Sequence, residues 1–229
     1  MWSRDDDLQY FAMADATSSK RPAPIDWRRV ESWSRQLARG DTSAISAAYE
    51  AHGARWLHTQ WCPLSVQLPA WQLQYVNDYW LALRNRSGLP SAADIDFDHL
   101  EAILGYVMLL DVIDGGKDFF YRRNGPVLSA VAGIDMTEKY LSQHTAGTHV
   151  VEGLFALYRA VLLRQEPVYV ERAPSQAAIT ERWQYLVLPL SGDSATVNSF
   201  LVCVVPVNSS GLPLYMTYGS KPPDEVPRG

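Results

Sequence analysis

Between Trp27 and Leu37 the apolar residues Trp27, Val30, Trp33 and Leu37 recur at the spacing of one helical face. Asp26 stands before them as an N-cap and Gly40 after them as a stop, which predicts a helix from Asp26 to Arg39. A second helix is predicted from Thr42 to His58. A third begins near Pro69, carries Leu73, Val76, Trp80 and Leu83 on one stripe, and ends at Gly88 ahead of Leu89-Pro90. The strongest helical pattern runs from Thr148 to Arg164. There Val151, Leu154, Phe155, Tyr158, Val161 and Leu162 share a face, and Pro167 prevents continuation.

The β-prone runs lie after Pro90. Tyr106 to Val112 is continuously apolar up to Asp111, Asp114-Gly115-Gly116 supplies a turn, and Phe119 to Arg123 returns, which reads as a hairpin. Three further strands are predicted at Val168 to Arg172, Trp183 to Leu190 and Asn198 to Val207, the last two joined by Ser191-Gly192-Asp193-Ser194. Between the pattern's main elements lie shorter helical pieces. Ser91 and Asp94 open one that carries Leu100, Ile103 and Leu104, and two more span Val127 to Ala132 and Met136 to Tyr140. The predicted class is α+β: five antiparallel strands with the helices packed on one face, preceded by an N-terminal helical extension.

Four fragments recur in a familiar order. They are Leu89-Pro90-Ser91-Ala92-Ala93-Asp94-Ile95-Asp96, Val107-Met108-Leu109-Leu110-Asp111-Val112, Phe120-Tyr121-Arg122-Arg123-Asn124-Gly125, and Gly133-Ile134-Asp135-Met136-Thr137-Glu138-Lys139-Tyr140-Leu141. Together they resemble a bacterial family of single PAS-like domains, the fifth PAS grouping, found mostly in alphaproteobacteria. The resemblance covers Leu73 to about Pro206. It implies a sensor or binding module, and it divides the chain into an arm and helical extension (1–66), a PAS-like domain (67–207) and an irregular tail (208–229). One departure is local: where the family has an Arg-Leu-Val-Gly-Thr character, this chain has Arg122-Arg123-Asn124-Gly125-Pro126, a more polar strand end.

Composition narrows the function classes. With 229 residues, 47% hydrophobic and 20% charged, the chain is long enough for one sizeable core. A net charge of −5 gives no electrostatic reason to expect nucleic acid. Asp5, Asp6 and Asp7 stand where a secretory signal needs basic and then apolar residues, and no apolar run reaches membrane-spanning length, so a cytoplasmic protein is expected. Cys62 and Cys203 match no zinc or redox spacing, and Cys203 reads as a small core residue.

Seven of the eight tryptophans lie between Trp2 and Trp80. Trp27, Val30 and Trp33 are therefore candidates for a homodimer interface, as helices flanking PAS domains commonly dimerise them. Packing of the same stripe within the chain is the equal alternative, and the neighbouring acidic residues argue against a membrane surface. His144 and His149 flank the long helix near where haem-binding PAS proteins place a proximal ligand, although a solvent-facing histidine is the preferred reading, and no cofactor is named. No metal site is expected: Asp94, Asp96 and Asp98 lack a calcium-loop glycine. No serine sits in a nucleophile elbow, and no catalytic residue is expected.

The candidate ligand contacts are Tyr121, Arg123, Tyr158 and Tyr185. Strand alternation places Tyr121 and Arg123 on one face with Phe119, and Tyr158 lies on the apolar stripe of the long helix. If that sheet face looks toward the helices, the three tyrosines converge on an internal pocket, or else on a filled core with satisfied hydroxyls. The function expected is a non-enzymatic sensor or adaptor that acts through a signalling protein partner and takes a small ligand. The alternatives are a small-molecule enzyme on a similar cavity and a pure oligomerisation module.

Overall fold

The computed structural model describes residues 24–175, 180–192 and 196–214, and of 85–87 the backbone alone. Its centre is an antiparallel sheet of β1 (Arg55–Trp61), β2 (Val107–Ile113), β3 (Asp118–Arg123), β4 (Val168–Ala173), β5 (Arg182–Ser191) and β6 (Val197–Val207). The spatial order is β1-β4-β5-β6-β2-β3. The predicted hairpin is β2–β3 and the predicted meander is β4–β5–β6. They join through β6 and β2, where Leu109 lies opposite Leu201.

The sheet has six strands rather than the five expected. The extra strand, β1, comes from the segment read as the end of a helix over Thr42 to His58. That helix stops at Glu50, because Gly53 adopts a left-handed backbone (φ +72°) from which the chain turns into Arg55-Trp56-Leu57. Trp56, Thr59 and Trp61 then suit a strand, and β1 pairs with β4 from Arg55 opposite Ala173 to Trp61 opposite Val168.

Helices cover both faces of the sheet, not one. On the first face lie α1 (Trp27–Ala38), α2 (Ser43–Glu50) and α5 (Thr148–Arg164), which bury Val30, Leu37, Ile45, Phe155 and Val161 against Leu110, Phe119, Val170, Val187 and Val202. On the second lie α3 (Trp71–Ser87) and α4 (Pro126–Ala132), with Leu73, Val76, Trp80 and Val127 against Leu109, Leu186, Leu188, Leu201 and Cys203. Strand alternation sends successive side chains to opposite clusters, so unbroken apolar runs such as Phe200 to Val205 are what a doubly covered sheet requires.

The part of the predicted extension that is described is built into this core. The α1 helix lies parallel to α5. The Asp26 side chain caps it by accepting the Arg28 and Arg29 N–H groups, each at 3.1 Å. Glu152 of α5, only 1% exposed, accepts the Asp26 N–H at 2.8 Å and Arg29 Nη1 at 3.0 Å. Further along, Arg159 donates to Glu31 at 2.9 Å, and Arg164 Nη1 donates to the Ala38 carbonyl at 3.2 Å. Val30 and Trp33, candidates for a dimer interface or equally for packing within the chain, are 0% and 5% exposed because their stripe faces α5 and the sheet. Trp27 keeps 44% of its surface exposed, with its ring edge-on to Phe155.

Smaller departures have local causes. Met136 to Tyr140 is a turn rather than a helix. Asp135 accepts the Thr137 N–H and hydroxyl, and the turn then runs along β3, where Glu138 N–H donates to the Tyr121 carbonyl at 2.8 Å. The Ser91–Asp94 capping box is present but holds one 3₁₀ turn, Ala92–Asp94, and a separate 3₁₀ segment, Glu101–Tyr106, carries Ile103 and Leu104. The expected irregular tail begins by folding back, with Leu214 N–H on the Pro206 carbonyl and Tyr106 donating to the Leu214 carbonyl. Residues 1–23 and 215–229, the rest of the expected arm and tail, lie outside the described residues.

Candidate functional site

Tyr121 of β3, Tyr158 of α5 and Tyr185 of β5 do converge. They are 3%, 0% and 5% exposed and belong to one cluster between the sheet and α5. Tyr158 sits edge-on to Phe119 at 5.1 Å between ring centroids and stacks on Phe200 at 5.7 Å. These aromatic contacts fix where its hydroxyl points.

Arg123 is not part of this group. A bulge falls between the pairs Leu110–Tyr121 and Leu109–Arg123, so Arg122 is an extra residue and the alternation beyond Tyr121 is reversed. The Arg123 guanidinium lies 4.3 Å above the Phe97 ring, and Phe97 packs on the second helix layer. Arg122 itself points outward to pair with Asp111, Nε to Oδ2 at 2.6 Å.

Two residues that the sequence pattern does not bring together with the tyrosines, Arg172 and Tyr49, complete the cluster. Arg172 of β4 is 8% exposed and lies on the same sheet face as Val168 and Val170. Its Nε and Nη2 donate to the Tyr185 hydroxyl at 3.2 and 2.5 Å, and its guanidinium lies 5.5 Å from the Trp183 ring centroid. Among the described residues no carboxylate pairs with it. The acid nearest in electrostatic effect to Tyr121, Asp118, is tied to Ser142 instead.

Tyr49 of α2 is fully buried, edge-on to Trp56 and to His149. It reaches the cluster over Gly153 of α5, where a methyl group would stand 2.3 Å from Tyr49 Oη. A glycine in mid-helix, otherwise unfavourable, thus makes room for a phenol. His144, just before α5, accepts the Ala146 N–H on Nδ1 at 3.0 Å. His149, the residue suggested as a haem ligand, stacks on His52 at 4.5 Å. Among the described residues no group of three histidine, cysteine or acidic side chains is placed to hold a metal.

Electrostatically the cluster is rich in donors. Burial pushes the phenols of Tyr49, Tyr121 and Tyr158 upward, so all three stay protonated at neutral pH. Burial, and secondarily the charge on Arg172, lower His144 to about 4, which leaves its imidazole neutral. With Nδ1 accepting, the proton resides on Nε2, another donor. Among the described residues the Tyr49 hydroxyl has no hydrogen-bond partner, a costly state for a buried polar atom, and the Tyr158 hydroxyl has none beyond the neighbouring Tyr121 phenol. A groove on the outer face of α1 between Arg28, Glu31, Arg35 and Arg39 offers no comparable arrangement, since Glu31 already pairs with Arg35 and Arg159 at the surface.

A covered antiparallel sheet with a long helix across its inner face is an α+β architecture of the PAS kind. The family model described as a PAS domain matches residues 70–205, well over half of the chain, and the chain belongs to that family. The match spans β2 to β6 and leaves α1, α2 and β1 outside it. No curated protein and no solved structure matches the chain.

Proposed function

We propose that this PAS domain is a non-enzymatic sensor or adaptor of the cytoplasm, which binds a small ligand between the sheet and α5 and passes the change to a signalling protein partner. The observation that carries this reading is the buried cluster of Arg172, Tyr49, Tyr121, Tyr158 and Tyr185, whose polar atoms are only partly satisfied from within the chain. A ligand that binds one arrangement of sheet and helices better than another shifts the balance between them. Here α5 and α1 form the obvious output, because Tyr158, Gly153 and Glu152 lie on one helix that touches both the cluster and α1.

The phenols favour binding over proton transfer. They stay protonated at neutral pH, and among the described residues the cluster holds no carboxylate against Arg172 or His144 to make an acid–base pair. Nor does the α1 stripe support an oligomerisation module, since Val30 and Trp33 are engaged inside the chain. Native mass spectrometry of freshly purified protein tests the reading. A retained mass that disappears on denaturation supports a sensor; a bare protein that also captures no small molecule or protein partner overturns it. Where a ligand is retained, Tyr158→Ala should lose it, and unchanged retention would remove Tyr158 from the site.

A further inference from the structure

We infer that the ligand of this cluster is a small monovalent organic anion whose carboxylate pairs with Arg172, an assignment that rests on the sensor reading above and gives it a chemistry. Three independent features point to it. The first is an unpaired charge. A guanidinium carries five N–H donors and stays protonated at every accessible pH, so burial without an acidic partner leaves both its charge and its remaining donors uncompensated. Among the described residues its one acceptor is the Tyr185 hydroxyl, and the Trp183 and Tyr185 rings lie 5.5 and 5.2 Å from the guanidinium. A carboxylate is the acceptor whose shape matches a guanidinium edge.

The second feature is a pair of buried hydroxyls. Tyr49, without a partner among the described residues, and Tyr158, which meets only the Tyr121 phenol, come from different helices, and both feel the charge of Arg172. Phenols held protonated donate to an oxyanion and contribute no negative charge of their own. Gly153 bears on the same point, because any side chain there would displace the Tyr49 ring, which lies within 3.0 Å of the missing Cβ.

The third is the charge count. Among the described residues Arg172 is the sole cation that the cluster presents, since the neighbouring His144 is neutral and uses Nδ1 as an acceptor. A monoanion balances one guanidinium. A phosphate dianion would leave a net negative charge in a poorly solvated site, so a carboxylate is preferred over phosphate. The apolar rings of Phe119, Phe155 and Phe200 in the same cluster suit an organic acid with a hydrocarbon body rather than a free inorganic ion.

The test uses the full chain. Thermal unfolding is followed during titration with sodium acetate, sodium benzoate or sodium phosphate, at ionic strength matched with sodium chloride. A saturable rise in the midpoint with acetate or benzoate is expected, at least tenfold weaker in apparent affinity for Arg172→Met. Tyr158→Phe and Tyr49→Phe keep the rings while removing the two buried hydroxyls, and each should weaken the carboxylate response about fivefold. These two variants decide the matter should Arg172→Met not fold. Carboxylates that act no better than chloride, or a response that survives both hydroxyl deletions, overturn the assignment. A phosphate response without a carboxylate response overturns it too. A neutral molecule retained in native mass spectrometry refutes the anion and leaves the sensor reading standing, so the two fail separately.

Discussion

His144 sits at the junction of burial and charge, and this gives it a measurable signature. Above its ordinary value of 6.5 it is neutral in the folded and unfolded chain alike and leaves stability unchanged. Between 6.5 and about 4 the unfolded chain takes up a proton there, while the folded chain, kept neutral by burial and by Arg172, does not. Stability therefore falls as pH drops through this window, by on the order of 3 kcal/mol at the full shift, and levels off below it. Urea midpoints measured from pH 7 to 4 should show this slope in the native sequence and a flatter one in His144→Gln. Equal slopes would place the acid sensitivity elsewhere. The same burial explains why single residues mislead a reader of the sequence. Alternation along β3 puts Tyr121 on the face of Phe119, toward α5, whereas one inserted residue, Arg122, reverses the pattern and turns Arg123 to the other face.

The elements are joined by a few long-range polar contacts, and Glu152 is the strongest of them. Its carboxylate lies in the interior, yet it holds both the first backbone N–H of the α1 cap and the Arg29 guanidinium. Glu152→Ala should cost about 2–4 kcal/mol and fray α1 before the sheet, because it leaves a buried donor and an exposed-side charge without their acceptor. Hydrogen exchange would show it as early loss of protection in residues 27–38. Uniform loss across α1 and the sheet would instead show that α1 unfolds only with the whole.

At this scale most of the fold was legible in the chain. The bounds of α5, the end of α3 at Gly88 and the order hairpin, helices, meander all follow from local periodicity and stop signals. What was not legible is tertiary. Arg55-Trp56-Leu57-His58-Thr59-Gln60-Trp61 has no clean alternation, being mostly exposed or half-buried, and becomes a strand only because β4 lies beside it. Arg172 drew no attention because a lone arginine in a strand is ordinary until its missing partner is seen.

For the molecule as a whole, the limits of the family match and the limits of the cooperative unit differ. Residues 70–205 contain the five-strand sheet of a PAS domain, but β4 then has a bare edge and α5 loses the cover of α1 and α2. Burying side chains such as Val30, Trp33, Leu37 and Ile45 is worth roughly 1.5–3 kcal/mol each, together comparable to the whole stability of a domain. A chain of residues 67–207 is accordingly expected to be aggregated or molten, with native-like far-ultraviolet and featureless near-ultraviolet circular dichroism. Sharp cooperative unfolding at the full-length midpoint would show that residues 24–66 are an accessory after all.

The docking of α1 onto α5 also sets a schedule. Asp26 and Glu152, which meet in the finished protein, are 126 residues apart. At about 5–20 residues per second the ribosome takes roughly 6–25 s to make that interval, during which the apolar stripe of α1 has nothing to cover it. Throughout that interval the nascent chain carries Trp27, Val30, Trp33 and Leu37 without their cover from α5, which makes this stripe a natural client surface for a chaperone.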